Sequence, residues 1–159
     1  MPIIRLETFI QAPIERCFDL SRSIDAHSQS TTGTEETAVA GVTSGLIGLN
    51  DEVTWRARHF GVRQHLTSRI TRFQYPTLFR DSMVRGAFKR IDHDHHFEER
   101  EGGTLVVDIF DFNAPFGPLG WLAERLFLTS YMRRFLLERN RILKEMAESE
   151  EWRKFLPEK

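Results

Sequence analysis

The residues best suited to chemistry in this chain lie between positions 81 and 108. In an extended run Ile91–Glu98, alternate side chains share a face. Ile91, His93, His95 and Phe97 then point one way, and Asp92, Asp94, His96 and Glu98 the other. The first set carries the apolar residues and is expected to face a core or cavity, which places two imidazoles in apolar surroundings. Asp81 is in phase with Phe79 and Met83 on an adjoining run. A tight hairpin within residues 101–104 that pairs Phe97 with Asp108 and His95 with Phe110 sets Asp108 diagonally beside His95, within hydrogen-bonding reach.

Three readings of this His/Asp group stay open. The groups can satisfy one another in a buried network that pins the sheet register. They can hold the polar head of a small molecule whose tail lies against Phe and Met side chains. Or a neutral histidine can act as a general base oriented by Asp108. His-x-His on a strand can also chelate zinc with Asp81 or Asp108 as a third ligand, but nothing in the spacing demands it. No metal or cofactor is expected.

Other chemistries lack their residues. There is no Gly-x-Ser-x-Gly elbow and no glycine-rich phosphate loop. The single cysteine, Cys17, rules out an internal disulfide and any Cys-x-x-Cys motif, and it reads as a small apolar residue of a helix. With 22 Lys and Arg against 23 Asp and Glu in 159 residues, the formal charge is −1, which excludes a nucleic acid or membrane recruited by bulk charge. Arg5 and Glu7 interrupt the first apolar stretch, so no signal peptide is expected. No apolar run reaches the ~18 residues of a membrane span. A cytoplasmic protein with no nucleic-acid partner and no integral membrane insertion is expected; a homodimer is left open.

The elements that must position these groups follow from periodicity. Residues 3–10 alternate as a strand, and Pro13 with Glu15 suits the start of a short helix over 13–20. A second short helix is expected over 23–27 and a polar loop over 28–33. Strand-like runs then fall at 35–40, 51–59, 62–73, 77–85, 88–99 and 104–112, with breaks short enough for antiparallel hairpins. Residues 113–120 read as a Pro/Gly-rich bridge. From Trp121 to Ser149 the pattern predicts one long amphipathic helix, and 151–159 a loosely held tail after a single domain over 1–150. A seven-stranded curved antiparallel sheet with one face to cover, two short helices after strand 1 and one long helix to cover it make an α+β architecture.

That element order is the one the helix-grip fold uses. The segment Phe79-x-Asp81…Gly86-x-Phe88…His93-x-His95-x-Phe97 resembles a pattern of small bacterial SRPBCC proteins, relatives of the START, polyketide-cyclase and plant pathogenesis-related proteins. The likeness continues through Gly102-Gly103-Thr104, Asp108 and Pro115–Gly120, and through Ile10-Gln11-Ala12-Pro13-Ile14-Glu15 near the start. Ile91 stands where the pattern leads one to expect a larger aromatic. The resemblance implies a mostly apolar cavity between sheet and final helix, used in that superfamily for lipids, steroids, polyketides or quinones.

The expected function is therefore binding of a hydrophobic or amphipathic small molecule. Its expected contacts are Trp55, Leu66, Phe79, Asp81, Met83, Ile91, His93, His95, Phe97, Asp108, Phe110, Met132, Phe135 and Leu136. A cyclase or dehydratase using the His/Asp group is one alternative. A protein-interaction module without a ligand is another, motivated by uneven charge: nine basic residues against Asp81 between Arg56 and Arg90, then seven acids against Arg100 between Ile91 and Asp111. Cross-strand ion pairs on the outer face account for that pattern, and a basic surface for an anionic partner stays open beside them.

Overall fold

The computed structural model describes residues 2–157. Strand β1 (Ile3–Ile10) runs into Ala12-Pro13, whose ring ends the ladder and leads into α1 (Ile14–Ser21). Ser23 caps α2 (Ile24–Ser30) by accepting a hydrogen bond from the Ala26 amide at 3.2 Å. The polar stretch expected as a loop over 28–33 is instead the end of α2 and a 3-10 turn at Thr32–Thr34. Its hydroxyls turn inward: Ser30 and Thr31 both donate to the His27 carbonyl. This is how Ser and Thr finish helices as readily as they form loops.

Six further strands follow: β2 (Thr37–Gly41), β3 (Glu52–His59), β4 (Val62–Gln74), β5 (Leu78–Arg85), β6 (Arg90–Arg100) and β7 (Gly103–Asn113). They form one antiparallel sheet in the order β1-β7-β6-β5-β4-β3-β2. Register shifts in β4 at Thr67/Ser68 and Ile70/Arg72 put bulges into its longest strand, and such bulges increase twist and curl the sheet. The opposite-signed runs of the sequence meet on the outer face. Arg80 makes a two-pronged pair with Asp94 (2.7 and 2.6 Å), and Arg90 reaches Asp92 and Asp111.

The β6–β7 hairpin differs from the expected register. His95 lies directly opposite Asp108, and Phe97 opposite Val106, because the loop is Glu101-Gly102 and not Gly102-Gly103. Gly102 takes the positive φ of the turn (+81°). Gly103 belongs to the strand, where a Cβ would sit 2.1 Å from the Ile10 carbonyl oxygen; its glycine serves the close approach of β1. The slide is by two residues, so every side chain keeps its face.

The covering helix begins earlier than the periodicity suggested. Residues 117–120, expected within the bridge, already form the first turn of α3 (Gly117–Ala123), with Pro118 at its start. A π turn at Glu124–Leu128 joins α3 to α4 (Thr129–Glu148), so the rod is continuous over 32 residues. The wider turn has local causes. The buried Glu124 carboxylate accepts the Ala114 amide, and the Thr129 hydroxyl donates to the Glu124 carbonyl. The segment expected as a loose tail is also ordered. Glu150–Lys154 forms a 3-10 turn, and Trp152, Phe155 and Leu156 pack on the core; Glu158 and Lys159 lie outside the described residues.

The helix crosses the concave face and divides the interior into two apolar clusters. One centres on Phe18, whose ring meets Phe73, Tyr75, Phe79 and Phe97 at centroid distances of 5.1–5.4 Å, and includes Leu143 and Met146. The other gathers Ile4, Leu6, Ile91, Phe110, Phe112, Met132 and Leu136. Burial pushes the Cys17 thiol up to about 11, in keeping with a packing role. A Cβ on Gly120 would lie 1.9 Å from the Pro115 carbonyl oxygen, so the backbones there touch. Gly120→Ala is expected to cost about 2 kcal/mol, seen as a lower urea midpoint at unchanged slope.

Candidate functional site

Between the two clusters lies a polar waist built from three strands and the helix. β6 contributes His93 and His95, β7 Asp108, β5 Asp81, and α4 Arg139 and Asn140. The strand pairs Asp81↔His93 and His95↔Asp108 bring carboxylates beside imidazoles by register alone. Asp108 is 1% exposed and accepts from His93 Nε2 at 2.8 Å and from Asn140 Nδ2 at 2.6 Å. His95 donates through Nε2 to Asp81 at 2.9 Å, and its Nδ1 lies 3.1 Å from Asp108, off the line of a hydrogen bond. The two imidazoles are in contact, with ring centroids 3.8 Å apart, and His95 stacks on Phe79 at 4.2 Å.

Their protonation follows from these contacts. Burial lowers His93, reinforced by the neighbouring His95 charge, and outweighs its bond to Asp108, so His93 is neutral at pH 7. Burial also disfavours a charge on His95, but carboxylates on both sides overcome it and raise its pKa above 6.5. For Asp81, burial acts upward, while the His95 hydrogen bond and the imidazole charges prevail and hold it at about 2. Asp108 is held well below the ordinary carboxylate range, against the same burial penalty, by its hydrogen bond to His93 and the close approach of His95. With Asp81 and Asp108 negative and Arg139 positive, protonation of His95, which its carboxylate neighbours favour, brings the waist to neutrality. That balance is what a dry interior requires.

Arg139 is the least satisfied member. It is 3% exposed, its Nη1 reaches Asn140 Oδ1 at 3.2 Å and Asp108 only at 3.6 Å, and its Nε has no hydrogen-bond partner among the described residues. It borders a partly enclosed cavity of about 380 Å³ between sheet and helix. Trp55, Leu66, Phe79, Asp81, Ile91, His93, His95, Phe110, Met132, Phe135 and Leu136 border the same space. Three other residues expected there do not. Phe97 packs beneath α1 against Phe18, Met83 packs with the second apolar cluster, and Asp108 lies behind the histidines.

A second polar group on the cavity wall escaped the sequence reading. Glu36 meets His27 Nε2 at 2.6 Å and His59 Nε2 at 3.8 Å, and His59 Nδ1 meets the Tyr131 hydroxyl at 2.7 Å. Burial raises Glu36, but the His27 bond and the charges of both histidines bring it below its usual value. Burial lowers His59 against the pull of Glu36. His59 was legible in principle, being in phase with Trp55 and Ala57, and so was Arg139, spaced helically between Leu136 and Leu143. Glu36 precedes β2 and has no such signal.

Among the described residues, Asp81, His93 and His95 are a group that could hold a metal ion, their ligand atoms all lying within 4.8 Å of one another. Asp108 behind both rings resembles the outer carboxylates that orient metal-bound histidines. A cation there would have to displace the His95 proton and would sit near the Arg139 charge, so the waist balances without one.

A curved antiparallel sheet gripping a long helix over a largely apolar cavity defines a helix-grip protein. The chain belongs to the family described as polyketide cyclase / dehydrase and lipid transport, whose sequence model matches residues 10–131. Its fold is similar to that of TTHA0849 from Thermus thermophilus, with a TM-score of 0.76 at 20% identity over 92% of this chain and 97% of that one. CV1439 from Chromobacterium violaceum gives 0.75 at 12% identity over 94% and 99%. A major latex-like protein from Panax ginseng gives 0.68 at 16% over 92% and 97%. At these identities the likeness concerns the fold. No curated protein matches the chain.

Two predictions follow from the charge balance. Asp108→Asn leaves His95 and Arg139 short of a buried counter-charge and is expected to cost about 3–5 kcal/mol in urea unfolding. Because the folded pKa of His95 is raised, its contribution to stability is complete below 6.5 and is lost as pH rises through the raised value. His95→Gln is therefore expected to flatten the alkaline decline in stability that the unaltered protein shows in a pH series of urea melts.

Proposed function

We propose that the protein binds a hydrophobic or amphipathic small molecule, of lipid, quinone or polyketide type, in the space between sheet and helix. The observation that carries this reading is Arg139: a buried guanidinium with an unpaired Nε–H at the edge of an apolar cavity. A buried donor without an acceptor costs about 1–3 kcal/mol, and a ligand oxygen placed there removes that cost. The apolar wall supplies the rest of the affinity at ~25 cal/mol per Å² of tail removed from water. The family's description, which includes lipid transport, supports the same reading.

One observation favours a second reading, cyclase- or dehydratase-type catalysis. His93 and His95 are in contact with pKa values pushed apart, a base and an acid side by side facing the cavity. On that reading His93→Gln keeps ligand uptake and abolishes turnover. Retained turnover of a substrate the unaltered protein converts would exclude it.

Binding is tested with cis-parinaric acid and its methyl ester, which share a fluorescent tail and differ in the head. Both are expected to bind, the acid more tightly. Arg139→Met is expected to weaken the acid about ten-fold or more and to spare the ester, since a charge-assisted hydrogen bond is lost. Leu66→Trp, on the cavity wall, is expected to exclude both. Failure of the unaltered protein to bind either probe, or equal binding by Leu66→Trp, would overturn the reading.

A further inference from the structure

The mouth of the cavity has a surface chemistry unlike the rest of the molecule. Phe60 at the tip of the β3–β4 hairpin, Phe88 in the β5–β6 turn, Phe116 before α3, and Leu128 and Tyr131 on the rod all border the cavity. Phe60 meets Tyr131 at 4.4 Å and Phe127 at 6.0 Å between ring centroids, so hairpin and helix form one continuous surface there. That surface is apolar and outward-facing. Phe116 is 82% exposed and Leu119 74%, and Trp121, Leu126 and Phe127 are each more than half exposed. Side chains of this size grouped in the open mark an interaction site.

Charge identifies the partner. The segments framing the mouth, residues 56–66, 83–90 and 114–137, contain one acidic residue, Glu124, and it is buried on the Ala114 amide. The same segments expose Arg58, Arg63, Lys89, Arg125, Arg133 and Arg134, none of them in an ion pair with a described residue. Elsewhere on the same helix the cations are matched: Arg141 pairs with Glu138 and Glu145, and Lys144 with Glu148. The formal charge of the chain is −1, so this is local segregation and not bulk basicity. Arg125 lies 5.6 Å from the Trp121 ring centre, an aromatic-cation pair suited to a headgroup layer.

We propose that this face docks on an anionic lipid bilayer. Its leucines and aromatics enter at headgroup depth, and its arginines meet lipid phosphates, the arrangement of an interfacial amphipathic helix. A second copy of the chain fits poorly, since a two-fold contact through this face sets cations against cations. Nucleic acid would match the charge but leave Leu119 and Leu126 without a partner. Exchange of a cavity ligand with the bilayer through the mouth rests on the ligand-binding reading; docking itself does not.

Sedimentation of the intact protein with vesicles tests the proposal. Vesicles mixing phosphatidylcholine with phosphatidylglycerol are expected to bind it about ten-fold or more tightly than phosphatidylcholine alone, less so as salt is raised. Tryptophan emission shifts to the blue on binding, and Trp121→Phe loses that shift. Arg133→Glu with Arg134→Glu, and separately Leu126→Ser with Phe127→Ser, each weaken binding about ten-fold or more while melting as the unaltered protein does, because all four side chains are on the surface. Absence of binding to either vesicle, binding that neither pair of substitutions weakens, or retention of a soluble acidic protein without vesicle binding would overturn the proposal. Vesicle binding without parinaric acid uptake would strike the ligand-binding reading and leave docking standing.

Discussion

The interior is organised around one buried carboxylate. Asp108 touches two imidazoles and the Asn140 amide, with the Arg139 guanidinium nearby, and so ties β6 and β7 to the helix that covers them. Desolvating such an ion costs several kcal/mol, recovered only while every donor stays in place. The helix therefore has one favourable rotational setting, with Arg139 and Asn140 facing Asp108. Leu136 and Leu143 then fall into separate apolar clusters on either side. Sliding the rod by a turn would leave Asp108 facing Leu136 or Leu143.

The cavity follows from the same constraint. A polar waist across the concave face prevents the two clusters from merging into one dense core. Side chains from both instead stand around a space whose wall mixes greasy surface with a few charged or hydrogen-bonding groups. Arg139 completes that logic, since its charge balances the waist while its Nε–H finds no acceptor within it. The second polar group, Glu36 with His27, His59 and Tyr131, repeats the pattern at the β3 end of the wall, again joining sheet to helix through a partly buried acid.

Outside, charge is sorted by strand and by helix end. The sheet's convex face pairs its arginines and aspartates across strands, as Arg80 and Asp94 do, and such exposed or half-exposed pairs add little stability each. Their effect is to consume acid. At the rim of the cavity mouth Arg125, Arg133 and Arg134 are in no ion pair with a described residue, so a chain with balanced composition presents a locally cationic face there.

Alternation and helical spacing in the residues alone determined the strand and helix order, the inward face of β6 and the company of His93 and His95 with apolar neighbours. These are local periodicities, set by backbone geometry. The slide of the β6–β7 hairpin depended on β1 approaching Gly103. The early start of α3 depended on Gly120 lying against Pro115, and the fate of Phe97 depended on α1 arriving above it. Glu36 and Arg139 joined the wall for the same kind of reason. Long-range packing chooses among registers and burials that short-range pattern leaves equal, and a charged residue betrays its partner only when the chain has folded to bring that partner near.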